Sequence, residues 1–162
     1  MQNISEIKET EERLRKLSEF QDIMLNGTDY SIITTEAKTG IITSFNKGAE
    51  RMTGYSEAEM VGKRTPAILH DHNEVVSKAH ELSEELKMEI KPGLDVFHRK
   101  VELGYASDIN EWTFIRKDKT RTTIELSISL LKNKSGDILG YIGIAKDISA
   151  RKKLENDLRA AK

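Results

Sequence analysis

Four histidines, His70, His72, His80 and His98, are the side chains in this sequence with the widest chemical range near neutral pH. His72 and His80 stand eight positions apart, too far along a helix to share one metal ion. Asp71, Asn73 and Glu74 make the surroundings of His70 and His72 polar, so these read as cap-region or surface histidines. His98 opens a short basic run, His98-Arg99-Lys100, which reads as a solvated surface. Serine, histidine and aspartate all occur, but no nucleophile elbow, phosphate-cradling glycine loop or His-Glu-x-x-His is present. There is no cysteine, which excludes disulfides, thiolate metal sites and thiol nucleophiles. The expectation is a chain with no enzymatic activity of its own and no metal site.

Bulk composition narrows the partners. The 162 residues fit one domain plus attachments. Charged residues make up 33% of the chain and nearly cancel, for a net charge of -1, whereas a nucleic-acid surface needs a basic excess. No apolar run approaches the ~20 residues that span a bilayer, and the start Met1-Gln2-Asn3-Ile4 lacks the basic and apolar stretches of a secretory signal. A cytoplasmic location with no membrane contact within this chain is the expectation, in keeping with the missing cysteines.

The elements that must position any site follow from periodicity. Ile7, Leu14, Leu17 and Met24, with Ile4 one turn earlier, form an a/d-like stripe over residues 1–25, which predicts an amphipathic or coiled-coil helix. Asn26-Gly27 stops it. Ser31-Ile32-Ile33-Thr34-Thr35 and Ile41-Ile42-Thr43-Ser44-Phe45 flank a glycine turn and predict a hairpin. Asn46 and Ser56 are placed to cap short helices, Ser56 with Glu59 as a capping box. A longer helix starting at Asp71 or Asn73 carries Val75, Val76, Ala79, Leu82 and Leu86, and Pro92-Gly93 breaks it. Leu94 to Leu103 predicts one more helix. Trp112-Thr113-Phe114-Ile115-Arg116 reads as a strand, and Ile124, Leu126, Ile128 and Leu130 alternate strictly with polar residues in the clearest strand signal of the chain. The run from Ile138 to Ala145 is apolar on both faces, with Gly140 and Gly143 permitting close approach, which predicts a central strand covered on both sides. From Ser149 the chain turns helical again. Strands, then helices, then strands imply an α+β fold: an antiparallel sheet with its helices on one side.

In this order and spacing the residues resemble a known family. Ile41-Ile42-Thr43-Ser44-Phe45-Asn46-Lys47-Gly48-Ala49-Glu50-Arg51-Met52-Thr53-Gly54-Tyr55-Ser56 resembles the opening of PAS domains, and Glu59-Met60-Val61-Gly62-Lys63 continues the pattern. Trp112 to Asp118 is similar to the family's first long strand and turn. Gly140-Tyr141-Ile142-Gly143-Ile144-Ala145-Lys146-Asp147-Ile148-Ser149 is similar to its last strand and exit motif, and Arg151-Lys152-Lys153-Leu154-Glu155 to the linker beyond. The likeness spans roughly residues 22–153. One departure is Lys119, where the family commonly has glycine; it should weaken the turn slightly if the position needs a positive φ.

The resemblance implies a five-stranded antiparallel PAS sheet with short helices on one side, flanked by N- and C-terminal linker helices. The implied division is a helix at 1–25, a sensory domain at 26–148 and a linker helix at 149–162 toward an output domain absent from this chain. It implies a sensory or relay module of a two-component histidine kinase or similar protein, a homodimer that binds a small ligand or partner. A ligand-free interaction and dimerisation module is the alternative. The expected cavity set is Phe45, Asn46, Met52, Tyr55, Trp112, Phe114, Ile124, Leu126, Ile128, Tyr141 and Ile144, with the other possibility that these side chains only fill a core. Asp147 and Ser149, where strand gives way to helix, are the expected signal-output residues. Family members that hold haem ligate it with a histidine in this region, for which His72 is the first candidate, then His70 and His80. Adduct-forming flavin chemistry lacks its cysteine. Neither haem nor flavin is the expected occupant; an unidentified small molecule or nothing is.

Overall fold

In the computed structural model, which describes residues 3–161, the alternating run around Ile124 forms the longest strand of a five-stranded sheet. Met1, Gln2 and Lys162, at the ends of the two expected linker helices, lie outside the described residues. The chain runs α1 (Ile4–Asn26), β1 (Ser31–Glu36), β2 (Ile42–Phe45), α2 (Lys47–Thr53), α3 (Glu57–Met60), a 3₁₀ turn (Pro66–Leu69), α4 (His72–Leu86), α5 (Leu94–Glu102), β3 (Asp108–Ile115), β4 (Arg121–Lys132), β5 (Ile138–Asp147) and α6 (Ser149–Ala160). The strand order is β2-β1-β5-β4-β3, and every neighbouring pair is antiparallel. The α+β expectation and the sheet are therefore both observed.

β5 is central, as its glycines predict. A Cβ at Gly140 would stand 1.9 Å from the Thr35 carbonyl oxygen, so no side chain fits there. Only one face of β5 is covered, contrary to the sequence expectation. Tyr141 and Ala145 are buried, whereas Ile138, Leu139 and Ile144 are exposed. The core lies between the inner face of the sheet and the segment from α2 to α5. Ile42, Met60, Leu69 and Ile124 are wholly enclosed there, each stabilising the fold by about 1.5–3 kcal/mol.

Local signals place most boundaries. Asn46 caps α2 by accepting the Ala49 N–H, and Ser56 with Glu59 forms the capping box of α3. Asp71 is the cap of α4. That helix ends at Leu86, before Pro92, because Lys87 turns left-handed (φ 52°) and donates its N–H to Ser83. β3 starts at Asp108, four residues ahead of the expected start at Trp112. It is an edge strand, where a polar residue such as Glu111 faces solvent without disturbing the ladder, and Asn110, on the opposite face, donates its amide N–H to Asp108. Lys119 does adopt the positive φ (72°) its turn demands.

Asn46 also fastens the N-terminal helix to the sheet. Its Oδ1 accepts the N–H groups of Ile32 and Ala49, at 2.9 and 2.8 Å, while its Nδ2 donates to the carbonyls of Leu25 and Tyr30. α1, β1 and α2 thus meet on one amide. Beyond this joint α1 has no buried residue, and Ile4, Ile7, Leu14, Leu17, Ile23 and Met24 are exposed along it.

Candidate functional site

The inner face of β1, β5 and β4 is not filled completely by side chains. A cavity of about 230 Å³ remains between these strands, the 3₁₀ turn and the N-terminal ends of α4 and α5. Ser31, Ile33 and Thr35 face it from β1, Leu126 and Ile128 from β4, and Tyr141, Gly143 and Ala145 from β5. The alternation is the strand period at work, because residues two apart share a face. Gly143 forms part of the floor: a Cβ there would come within 3.3 Å of the Ile128 Cδ1 and 3.5 Å of the Leu126 Cδ1. Leu69, His70, Phe97 and Phe114 close the far side, and the exposed Ala67, His72, Pro92 and Gly93 form a mouth.

The walls are apolar with a few polar exceptions. Among the described residues, no aspartate, glutamate, lysine or arginine lines the cavity. Three lining residues carry a buried polar atom without a hydrogen-bond partner, namely Ser31 Oγ, Thr35 Oγ1 and His70 Nδ1. Such atoms are costly to bury unpaired, by about 1–3 kcal/mol each. His70 is clamped by rings, with centroids 4.6 Å from Phe97, 5.4 Å from Trp112 and 5.4 Å from Phe114. Burial pushes its imidazole pKa down to about 4, so it is neutral at pH 7.

His98 is a second buried imidazole, contrary to its reading as part of a solvated basic run. It stacks flat on Tyr141, centroids 3.5 Å apart and planes 4° from parallel, and the Tyr141 hydroxyl donates to Glu102 at 2.7 Å. Desolvation lowers the His98 pKa to about 4, opposed by the Glu102 and Asp95 carboxylates. Burial also raises the pKa of the Tyr141 phenol, helped by its bond to Glu102.

The expected cavity set divides. Phe114, Leu126, Ile128 and Tyr141 line the cavity. Phe45, Met52, Tyr55, Trp112 and Ile124 belong to the solid core, and Asn46 is spent on the α1–β1–α2 joint. Ile144 lies on the opposite face of β5, paired beside Ile32 and Ser127, because a strand apolar on both faces conceals which parity points inward. Of the three histidines weighed as ligands, His70 is inside, His72 sits exposed at the mouth and His80 is exposed on α4. The lining adds Ser31, Thr35, His70 and His98, which the expected set does not include. Parity with Ile33 places Ser31 and Thr35 inward, and the stripe Leu94, His98, Val101 at helical spacing places His98 inward.

Haem and flavin do not fit this space. A 150 Å³ cavity suits a benzene ring, so about 230 Å³ holds on the order of ten non-hydrogen atoms, several-fold fewer than either group. The lining also offers no cation for propionate or phosphate.

At the other end of β5 the chain passes into α6. Asp147 Oδ1 accepts the Ser149 N–H at 2.9 Å and the Ser149 hydroxyl at 2.6 Å, and its Oδ2 accepts the Thr122 hydroxyl at 3.0 Å. Partial burial opposes ionisation of Asp147, but the bonds from Ser149 and Thr122 outweigh it and hold the carboxyl below its ordinary pKa. The formal cap of α6 is Ile148, which has no side-chain bond to give, so Asp147 serves the first turn from one residue earlier. Arg151 and Lys152 then reach Glu111 on β3, with Lys152 Nζ 2.9 Å from its carboxylate.

Comparison with known proteins agrees with this architecture. A family profile described as "PAS domain" matches residues 29–150. The signal transduction histidine-protein kinase AtoS of Escherichia coli K12 is 27% identical over 150 residues, which is 91% of this chain and 21% of that protein. The chain thus spans about a fifth of the length of that relative. A PAS domain from Colwellia psychrerythraea superimposes with a TM-score of 0.59 at 20% identity, over 83% of this chain and 98% of that one. An RNA-binding light-oxygen-voltage receptor gives 0.63 at 18% identity, over 90% and 36%.

Proposed function

The chain belongs to the PAS domain family, and from that membership we propose that it is a sensory or relay module. It binds a small ligand in the cavity and passes the signal through its terminal helices to an output domain of histidine-kinase type. The observation that carries this reading is the double duty of β5. Tyr141, Gly143 and Ala145 are cavity wall, and Asp147, two residues on, holds the first turn of α6. A ligand pressing on that wall shifts the strand that supports the exit helix. Binding then biases two arrangements of the helix by whatever difference in affinity the ligand has for them. Any kinase activity resides outside this chain, whose own part is binding and relay in the cytoplasm.

The apolar stripe of α1 supports a homodimer in which two such helices pair. Ile7, Leu14, Leu17 and Met24 are exposed at a/d spacing, and isolated helices bearing such a seam gain stability by pairing. The same stripe favours the second reading, an interaction module that dimerises without any ligand. Native mass spectrometry of the purified chain separates the two. A co-purified molecule of small mass supports the sensor. Ligand-free dimers whose linker helices ignore every change to the cavity overturn it.

A further inference from the structure

Given that the cavity is a ligand site, the reading on which this inference rests, we propose that its occupant is a small neutral aromatic or heteroaromatic molecule. It has on the order of ten non-hydrogen atoms and carries one hydroxyl or ring N–H. Size comes from the cavity volume of about 230 Å³. Neutrality comes from the lining, which has no charged side chain to receive a carboxylate, phosphate or ammonium group. Aromatic character comes from the rings of His70, Phe97, Phe114 and Tyr141, which offer faces and edges to a planar guest.

The polar group on the guest answers the unpaired atoms. His70 Nδ1, Ser31 Oγ and Thr35 Oγ1 are buried without partners. A neutral imidazole has one nitrogen that accepts and one that donates. Burial keeps His70 in that neutral form, so it can accept a hydrogen bond from a phenolic O–H or an indole-type N–H. The serine and threonine hydroxyls can donate to or accept from the same group by rotating. Ser31 and Thr35 lie four residues apart on one strand face, about 13 Å, so a compact guest engages one and not both. Water in these positions would satisfy the same atoms but would leave the ring-lined part of the cavity without a matching partner.

The test uses the full chain, titrated with phenol, indole, benzene and benzoate and followed by amide NMR shifts. The expected order is phenol and indole first, benzene next and benzoate last. On the unaltered chain benzoate should bind at least about tenfold more weakly than phenol, the scale of one hydrogen bond or more. His70→Leu should weaken phenol by roughly tenfold and leave benzene nearly unchanged, a contrast that mere loosening of the fold would not produce. Should His70→Leu fail to fold, Ser31→Ala and Thr35→Ala are the companion variants, and one of the two should weaken phenol without weakening benzene. Benzoate binding as tightly as phenol overturns the proposal, and so does an equal change of phenol and benzene in every one of these variants. Failure of all four probes overturns it too, and xenon then separates the causes. If xenon shifts the amides of Gly143 and Ile128, the cavity still admits guests and only the aromatic assignment falls. If xenon leaves them unmoved, the ligand-site reading falls as well.

Discussion

Lys119 holds the tip of the β3–β4 turn at φ 72°, a conformation in which a Cβ is strained and glycine is not. Asp118 stiffens the turn by accepting the Thr120 N–H and hydroxyl, at 3.0 and 2.6 Å. Lys119→Gly should therefore stabilise the chain by about 1 kcal/mol, read as a higher urea midpoint. An unchanged or lower midpoint would show that the strain is already relieved. The buried histidines make a second prediction. Their folded pKa values, about 4 for both His70 and His98, lie below the ordinary 6.5. Between those values the unfolded chain binds more protons, so stability falls as pH drops through the window and is level above it. His70, ringed by aromatics, accounts for on the order of 3 kcal/mol of that loss over the full window. Urea midpoints at about pH 7.5 and about pH 5 should differ in the parent chain and differ less in His70→Phe. An identical drop in the variant would place the acid sensitivity elsewhere. Neither burial was read from the sequence. His70 is flanked by Asp71 and His98 by Arg99, and neighbours in sequence do not report which way a side chain points.

At the scale of elements, the joint between β5 and α6 rests on few bonds. Asp147→Ala removes acceptors for Ser149 and Thr122 at once. The first turn of α6 should lose about 0.5–2 kcal/mol and exchange its amide hydrogens faster, while amides in the core keep their protection. Unchanged exchange at Lys152 would mean that Arg151 and Lys152, paired to Glu111, hold the helix alone. Period-two alternation made β4 legible, and cap residues made α2, α3 and α4 legible, because both are local signals. What is not local was harder to read. Phe45, Met52, Tyr55 and Ile124 are inward-facing, as their pattern says, but whether an inward side chain meets another side chain or empty space depends on the packing of α4 and α5 across the sheet. Ile144 lies one position out of the expected parity because β5 is apolar on both faces, and only pairing with β1 and β4 decides which face turns inward.

At the scale of the whole molecule, two features protrude or lie open: α1, with its apolar stripe and no buried residue, and α6, with Leu154 and Leu158 exposed. Both leave the domain near the middle of the sheet, since β1 and β5 are neighbours. The proposed dimer should sediment as monomer once residues 1–25 are removed; an undiminished dimer would move the seam off α1. Among the described residues no helix is long and apolar enough to cross a membrane. The cavity wall and the support of the exit helix are one strand, β5. Because the chain has no cysteine, spin labels can be set at Lys134→Cys and Asn156→Cys, in labelled protein diluted with unlabelled. The cavity floor is then filled with Gly143→Leu, and the inter-label distance distribution is measured by pulsed electron resonance. The distribution should shift or narrow relative to the unfilled chain. Superimposable distributions in a folded Gly143→Leu protein would contradict the coupling.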